Sequence, residues 1–320
     1  MLISIIAIFY NSEVFISRCL DSILRQEEVE VEIIAVDDCS SDSTFQLLKK
    51  YEENFNKIKV IRHDVNKGIS EARNSGLRNI SGDCFFLIDG DDCLSDSRSL
   101  KNLADKFEKE TDFVQGSYNI IKGEKIQRQI LFPDETCSGF NQICNNFDKF
   151  NFMYTHNKLW NIKWAKIFFI PGIYHEDRIW NASIFKDLTK ISSISYPTYN
   201  YYINNSNTSN LSRSKRKYID SGIKYVECLK ELPSCWNNIK ETFIIVDIVK
   251  PLYLFEKDKR YRKEVRRYLD NYYPLSIDVS GFPRFTKLLH KFVNKRIPDF
   301  MVNTIAKSYI RLMNTLNKPV

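Results

Sequence analysis

Over roughly the first 90 residues, short apolar runs alternate with helix-patterned stretches, and this alternation constrains the chain more than any other feature of it. Residues 2–9, 31–36, 58–61 and 84–88 are apolar and rich in Ile, Val and Phe, with little polar alternation. Runs of that kind suit strands covered on both faces. Between them, Phe15, Ile16, Cys19, Leu20, Ile23 and Leu24 recur at helical spacing. They predict an amphipathic helix over 12–25 with Ser12 as its cap. A second helix is expected through Phe45, Leu48 and Tyr51, and a third over 69–79. Strand and helix alternating over short connections predict an α/β fold, with a mostly parallel Rossmann-like sheet flanked by helices. In such sheets, ligands bind beyond the carboxyl ends of the strands. Asp37-Asp38 and Asp89-Gly90-Asp91-Asp92 each follow directly on a strand, so both acidic clusters are expected on one rim.

Downstream the pattern weakens. Residues 100–110 read as a charged helix, 113–132 as two strands, and 134–150 as loop or short helices. Residues 157–169 are rich in Trp, Lys and Phe, and 200–214 in Asn, Ser and Tyr, which suggests a loop. Beyond 214 the chain reads as helical and increasingly basic. Residues 281–320 hold eight bases against one acid, so the whole net charge of +7 resides there and the preceding body is neutral. Phe282, Phe285, Leu288, Leu289 and Phe292 interleave with bases at near-helical spacing. That pattern suits either a helix lying on an anionic membrane surface or a packed helix with a solvated face. A neutral body without a nucleic-acid-binding motif argues against a nucleic-acid partner. The apolar start is too short to span a bilayer and has no basic leader, so neither a signal peptide nor a membrane span is expected. The eight cysteines include no C-x-x-C pair and are expected to be scattered core thiols.

Several clusters carry chemistry. Asp89, Asp91 and Asp92 repel one another unless a cation sits among them, and a hard divalent ion fits; helix capping in a solvated turn is the other reading. On the same rim, Asp37 or Asp38 can accept from a nucleobase N–H or a ribose hydroxyl, or cap the next helix. Asn66, Lys67, Gly68 and Arg73 combine a tight turn, two cations and a helix start, a set that suits phosphate, although both cations also fit an ordinary surface. Glu176-Asp177 is either a general base facing a cleft or a helix start. Trp160, Trp164, Tyr174 and Trp180 suit either sugar stacking or core packing. No G-x-G-x-x-G, P-loop or Gly-x-Ser-x-Gly motif is present, which excludes the commonest dinucleotide, nucleotide-triphosphate and serine-hydrolase sites.

The order of these motifs resembles the family 2 glycosyltransferases of GT-A fold, particularly bacterial enzymes of capsule and O-antigen assembly. The resemblance runs through Ser4-Ile5-Ile6, Tyr10-Asn11, Leu20-Asp21-Ser22-Ile23, Val36-Asp37-Asp38, Asn66-x-Gly68, Ala72-Arg73-Asn74, Gly82 and Asp89-Gly90-Asp91-Asp92. It continues more loosely through Asn157-Lys158-Leu159-Trp160 and Glu176-Asp177. The resemblance implies a nucleotide-sugar-binding half over 1–95 and an acceptor half over 96–214, to which the chain's own pattern adds a helical basic region over 215–320. It implies an inverting transfer from a nucleotide sugar, most often a UDP-sugar, to a glycan or polyprenyl-linked acceptor, with Mn2+ or Mg2+. A non-catalytic nucleotide-sugar-binding subunit is the alternative.

By position, Ile8 and Tyr10 would line the base pocket and Asp38 would meet the nucleobase. Lys67, Gly68 and Arg73 would serve the phosphates. Asp89, Gly90 and Asp91 form the D-x-D, with Gly90 where Ser is more usual and is expected to be tolerated. Asp91 would hold the metal, with Asp92 sharing it, and Asp177 would be the base. The implied location is cytoplasmic, peripheral on the inner face of the membrane through 281–320.

Overall fold

β1 (Leu2–Phe9) is covered on both faces, with Ile3, Ile5, Ile6 and Ala7 all inaccessible to solvent, as its unbroken apolar run requires. It is the central strand of the parallel part of a ten-stranded sheet in a computed structural model that describes residues 1–146, 149–203 and Ser221. β2 (Glu30–Asp37) and β4 (Cys84–Asp89) pair with β1 in parallel on either side, and β3 (Ile58–Arg62) extends the sheet beyond β2. Helices α1 (Ile16–Leu24), α2 (Thr44–Asn54) and α3 (Ile69–Leu77) connect these strands. The register sets Phe9 opposite Asp37 and Ile8 opposite Asp89, so both acidic clusters do end on one rim.

One boundary differs from expectation. α1 starts at Ile16 rather than at Ser12, with no side-chain cap. The Ser12 N–H donates to Thr44 Oγ1 (2.7 Å) and its hydroxyl to the Tyr10 carbonyl (3.1 Å). Ser12 is thus spent on the turn leaving β1, one turn before the helix.

Beyond β4 the sheet is mixed. A short β5 (Cys93–Leu94) and α4 (Ser99–Ala104) precede the hairpin of β6 (Phe113–Lys122) and β7 (Lys125–Ile130). β8 (Glu135–Ser138), α5 (Phe140–Asn145) and β9 (Lys158–Asn161) follow, then a 3-10 turn, α6 (Glu176–Phe185) and the long β10 (Lys190–Tyr202). β9 runs antiparallel between β4 and β6, while β10 is parallel to β6 and antiparallel to β5 and β8. β10 was not expected. Its polar run carries Pro197, where the register with β6 shifts, so its strand character comes from its neighbours rather than from its own pattern.

A single apolar cluster joins the two parts of the sheet, from Ile5, Ala7 and Phe86 to Val114, Leu159, Ile194 and Tyr199. Cys19, Cys84, Cys93 and Cys137 are buried free thiols. The chain divides into two units, Met1–Ser212 and Arg213–Val320. Of the loop expected over 200–214, residues 200–202 instead end β10, where pairing with β6 makes them strand, and 204–214 lie outside the described residues, as does the basic segment 281–320. Among the described residues, no helix is long and apolar enough to cross a membrane.

Candidate active site

Arg73, on α3, is the hub of the site. Its side chain is 2% exposed. Nη2 donates to Asp89 Oδ1 (3.1 Å), and Nη1 donates to Glu176 Oε1 (2.9 Å) and to Asp177 Oδ1. One guanidinium therefore ties the end of β4 at Asp89 to the first turn of α6 at Glu176 and Asp177. The guanidinium also lies over the Phe169 ring, 5.3 Å from its centroid. Burial opposes charge on Arg73, but Asp177, Asp89 and Glu176 outweigh it and hold the guanidinium more firmly protonated than usual. The expectation of Arg73 as a phosphate-facing cation is corrected. A charge this deep requires compensating partners, and both terminal nitrogens go to carboxylates, while Nε is buried with no hydrogen-bond partner among the described residues.

Asp177 is buried, and Thr155 holds it as well as Arg73: the hydroxyl donates to Oδ1 (2.8 Å) and the backbone N–H reaches Oδ2 at 3.5 Å. Burial is the largest influence and pushes its carboxyl up, yet Arg73, His156 and the Thr155 hydrogen bonds together more than offset this and keep it below the ordinary carboxylate range. Glu176 behaves oppositely: burial and the Asp177 charge push it up to about 7. The pair does begin a helix, but a buried one. Its approach runs through Gly172 at φ +76° and His175 in the left-handed region at φ 59°.

Thr155 belongs to a link that the sequence reading did not single out. The Trp160 indole N–H donates to the Thr155 carbonyl (2.9 Å), and the Lys158 ammonium donates to the Tyr154 carbonyl. Lys158 is 1% exposed, and burial pushes it down to about 7 against the pull of Asp177. Trp160, Trp164 and Trp180 are all buried, which settles those three expected stacking candidates as core.

The D-x-D loop divides into separate tasks. Asp89 is bound by Arg73, while Asp91 is half-buried at the rim. Gly90 is held by its N–H to the Ile8 carbonyl (2.9 Å), and a Cβ there would lie 2.4 Å from the Phe9 ring. With Phe9 packed beneath, only glycine fits at this position without displacement. Asp92 is also corrected as a metal partner. It is 1% exposed, and its oxygens accept from the Tyr199 hydroxyl (2.7 Å) and the Tyr202 N–H (2.8 Å). Burial, Asp91 and Asp89 all raise its proton affinity, while the two hydrogen bonds oppose them and latch the loop to β10. Arg18 supports the same junction, donating to the Asp91 carbonyl and lying 3.6 Å from the Tyr202 ring centroid.

On the nucleotide side, Asp38 is buried against the 66–68 turn. Oδ1 accepts from Lys67 N–H (2.8 Å) and sits 2.7 Å from His63 Nδ1, while Oδ2 accepts from Gly68 N–H (2.8 Å). A carboxylate offers about four acceptor positions, so roughly one stays open on Oδ2. Gly68 adopts φ +83°, which a side chain would strain. The Lys67 side chain is exposed, Ile8 is half-buried against Ile34, Val36 and Ala72, and Tyr10 is 52% exposed at the end of β1. Asp37 instead pairs with Arg62 (3.3 Å) beneath the rim.

Among the described residues, no three His, Cys, Asp or Glu side chains are arranged to hold a metal. A half-buried carboxylate at the rim, as Asp91 is, has the chemistry of a single ligand to a hard divalent ion.

The site thus joins acidic strand ends of the parallel part of the sheet to a buried carboxylate pair on α6. The Glycosyl transferase family 2 model matches residues 4–167, about half of the chain, and the chain belongs to that family. It is 42% identical over 94 residues to the uncharacterized glycosyltransferase EpsJ of Bacillus subtilis (strain 168), covering 29% of this chain and 27% of that protein. It is 30% identical over 145 residues to the Escherichia coli UDP-Glc:alpha-D-GlcNAc-diphosphoundecaprenol beta-1,3-glucosyltransferase WfgD, covering 45% of this chain and 56% of that one. These matches thus span only part of either relative's length. The crystal structure of S. aureus TarS 1-349 in complex with UDP-GlcNAc has the same fold, with a TM-score of 0.73 at 20% identity over 97% of this chain and 92% of that one.

Proposed function

We propose that the chain is an inverting, metal-dependent glycosyltransferase that moves a sugar from a UDP-sugar to a hydroxyl of a glycan or lipid-linked acceptor. The observation that carries this reading is the shared guanidinium: Asp89 at the strand end and Asp177 on α6 both bind Arg73, so donor side and base side border one site. The UDP-glucose named for WfgD and the UDP-GlcNAc bound to TarS supply the choice of nucleotide.

In this reading the open position on Asp38 Oδ2 accepts from the nucleobase, beside Ile8 and Tyr10. Lys67 and the turn at Gly68 face the diphosphate. Asp91 holds the divalent ion, which when bound neutralises charge building on the leaving diphosphate. Asp177 keeps Oδ1 on Arg73 and Thr155, leaving Oδ2 with one long contact to receive the proton of the attacking hydroxyl. Attack on the face opposite the diphosphate inverts the anomeric centre.

Release of UDP or GDP from a panel of nucleotide sugars, with Mn2+ and simple sugar acceptors, tests the reading. One donor is expected to turn over, and no release from any of them contradicts it. In calorimetry with that donor, Asp91→Asn removes the Mn2+ dependence of donor binding, whereas Asp92→Asn retains it. Equal loss in both variants would return Asp92 to the metal.

A further inference from the structure

His156 lies between Thr155 and Asn157 in the link before β9, and every neighbour on that link is pinned. Thr155 holds Asp177. Asn157 adopts the left-handed conformation at φ 57°. Its amide donates to the Gly116 carbonyl (2.5 Å) and the Ser117 carbonyl (3.2 Å), and its oxygen accepts from the Thr198 hydroxyl (2.6 Å). Lys158 closes the link onto Tyr154. The imidazole between them is fixed before any ligand arrives, the condition for a low-cost polar contact.

The faces of the ring are already used. Tyr154 stacks on it with centroids 5.0 Å apart, Tyr199 at 5.1 Å and Tyr201 at 6.2 Å, all within 22° of parallel. Only the ring edge remains for a ligand. On that edge Nδ1 is buried and has no hydrogen-bond partner among the described residues, in a residue only 7% exposed. Buried polar atoms rarely go unpaired, and each one that does calls for a structural or catalytic explanation. Burial pushes the imidazole down to about 4 although Asp89 and Asp177 both pull it up, so it lies within reach of both charges and is neutral near pH 7. A neutral imidazole suits a hydroxyl rather than a phosphate.

We propose that His156 binds the sugar being transferred, its Nδ1 hydrogen-bonded to a hydroxyl of that sugar between Asp89 and Asp177. The inference rests on the sugar-transfer reading, which places the donor sugar in the same interval. Tyr154, 41% exposed, is the outer wall of the stack and keeps the ring edge oriented.

Calorimetry on the full chain with Mn2+ tests this, using UDP, GDP, and a panel of UDP-glucose, UDP-galactose, UDP-GlcNAc and GDP-mannose. His156→Phe keeps the ring stack and removes the nitrogen; His156→Asn restores a polar atom near Nδ1. For the sugar nucleotide that the wild type binds, the Phe variant is expected to bind about three- to tenfold more weakly, the loss of one neutral hydrogen bond. Affinity for the matched nucleoside diphosphate stays within about twofold, and the Asn variant recovers part of the loss. Unchanged sugar-nucleotide binding in the Phe variant overturns the assignment of His156 alone. Equal weakening toward sugar nucleotide and bare diphosphate, in both variants, also overturns it, because the residue would then act on the nucleotide or on the fold. A wild type that binds none of the six ligands defeats the sugar-transfer reading itself, and this inference with it.

Discussion

The two parts of the sheet bring residues to the site by different routes. In the first, β1, β2, β3 and β4 lie parallel, each joined to the next by a helix, and the rim residues Asp38 and Asp89 simply terminate their own strands. In the second, β9 inserts between β4 and β6, and β10 returns beside β6. The residues it delivers (Thr155, His156, Lys158 and Asp177) sit on a link, the first residue of β9 and a helix start, held by contacts to other elements. The first part positions groups by local chain geometry and the second by long-range closure. Arg73 is where they meet, which makes it the place where the comparison is most easily broken.

Replacing Arg73 by Met leaves three carboxylates facing one another without their cation, and the expected cost is about 3–5 kcal/mol of stability. Lys67→Met, on the exposed side of the same turn and helix start, is expected to change stability by no more than about 0.5 kcal/mol. Chemical denaturation of the two variants separates a buried hub from a surface cation, and equal effects would dissolve the distinction.

Glu176 provides a pH test of the same junction. Its carboxyl titrates near 7 in the folded chain, against about 4.5 as its ordinary value. Between those pH values the folded chain retains a proton that the unfolded chain has lost, so this group's contribution to stability falls as pH rises from about 4.5 to 7 and stays low above that. Glu176→Gln is therefore expected to match the wild type near pH 4 and to exceed it by roughly 1–3 kcal/mol at pH 8. Parallel stability curves for the two proteins would contradict the raised carboxyl.

Gly90→Ser probes the first part alone. Its Cβ would meet the Phe9 ring at 2.4 Å, and overpacking of this kind costs about 1–3 kcal/mol. Phe9→Leu in the same chain is expected to relieve part of that strain in thermal melts; an undisturbed Gly90→Ser variant would show that the loop has room.

Legibility in the sequence follows the same division. β1 to β4 and their helices could be read because an apolar run covered on both faces, followed by a 3.6-residue period, carries its own signature. The common rim of Asp37 and Asp89 followed from that pattern without coordinates. Nothing in the sequence showed Asp92 turned inward to Tyr199 and Tyr202, because its neighbour Asp91, one residue away, stands at the rim with the same side chain. Arg73 could not be told from Lys67 by type or position, since its burial depends on carboxylates arriving from α6. Thr155 and His156 lie on a stretch with no periodicity, and their placement depends on the left-handed turn at Asn157 and on β10, a strand that its own residues do not announce. Glu176-Asp177 could be found as a pair, but its burial belongs to the second part's closure.

The central claim is that Asp177 acts on a substrate held from the β4 side. Turnover of Asp177→Asn, measured beside its calorimetric affinity for UDP, tests it most directly. The account predicts a fall in turnover of about 10²–10⁴-fold, the usual contribution of a general base, with UDP affinity nearly unchanged. Wild-type turnover in that variant would contradict it.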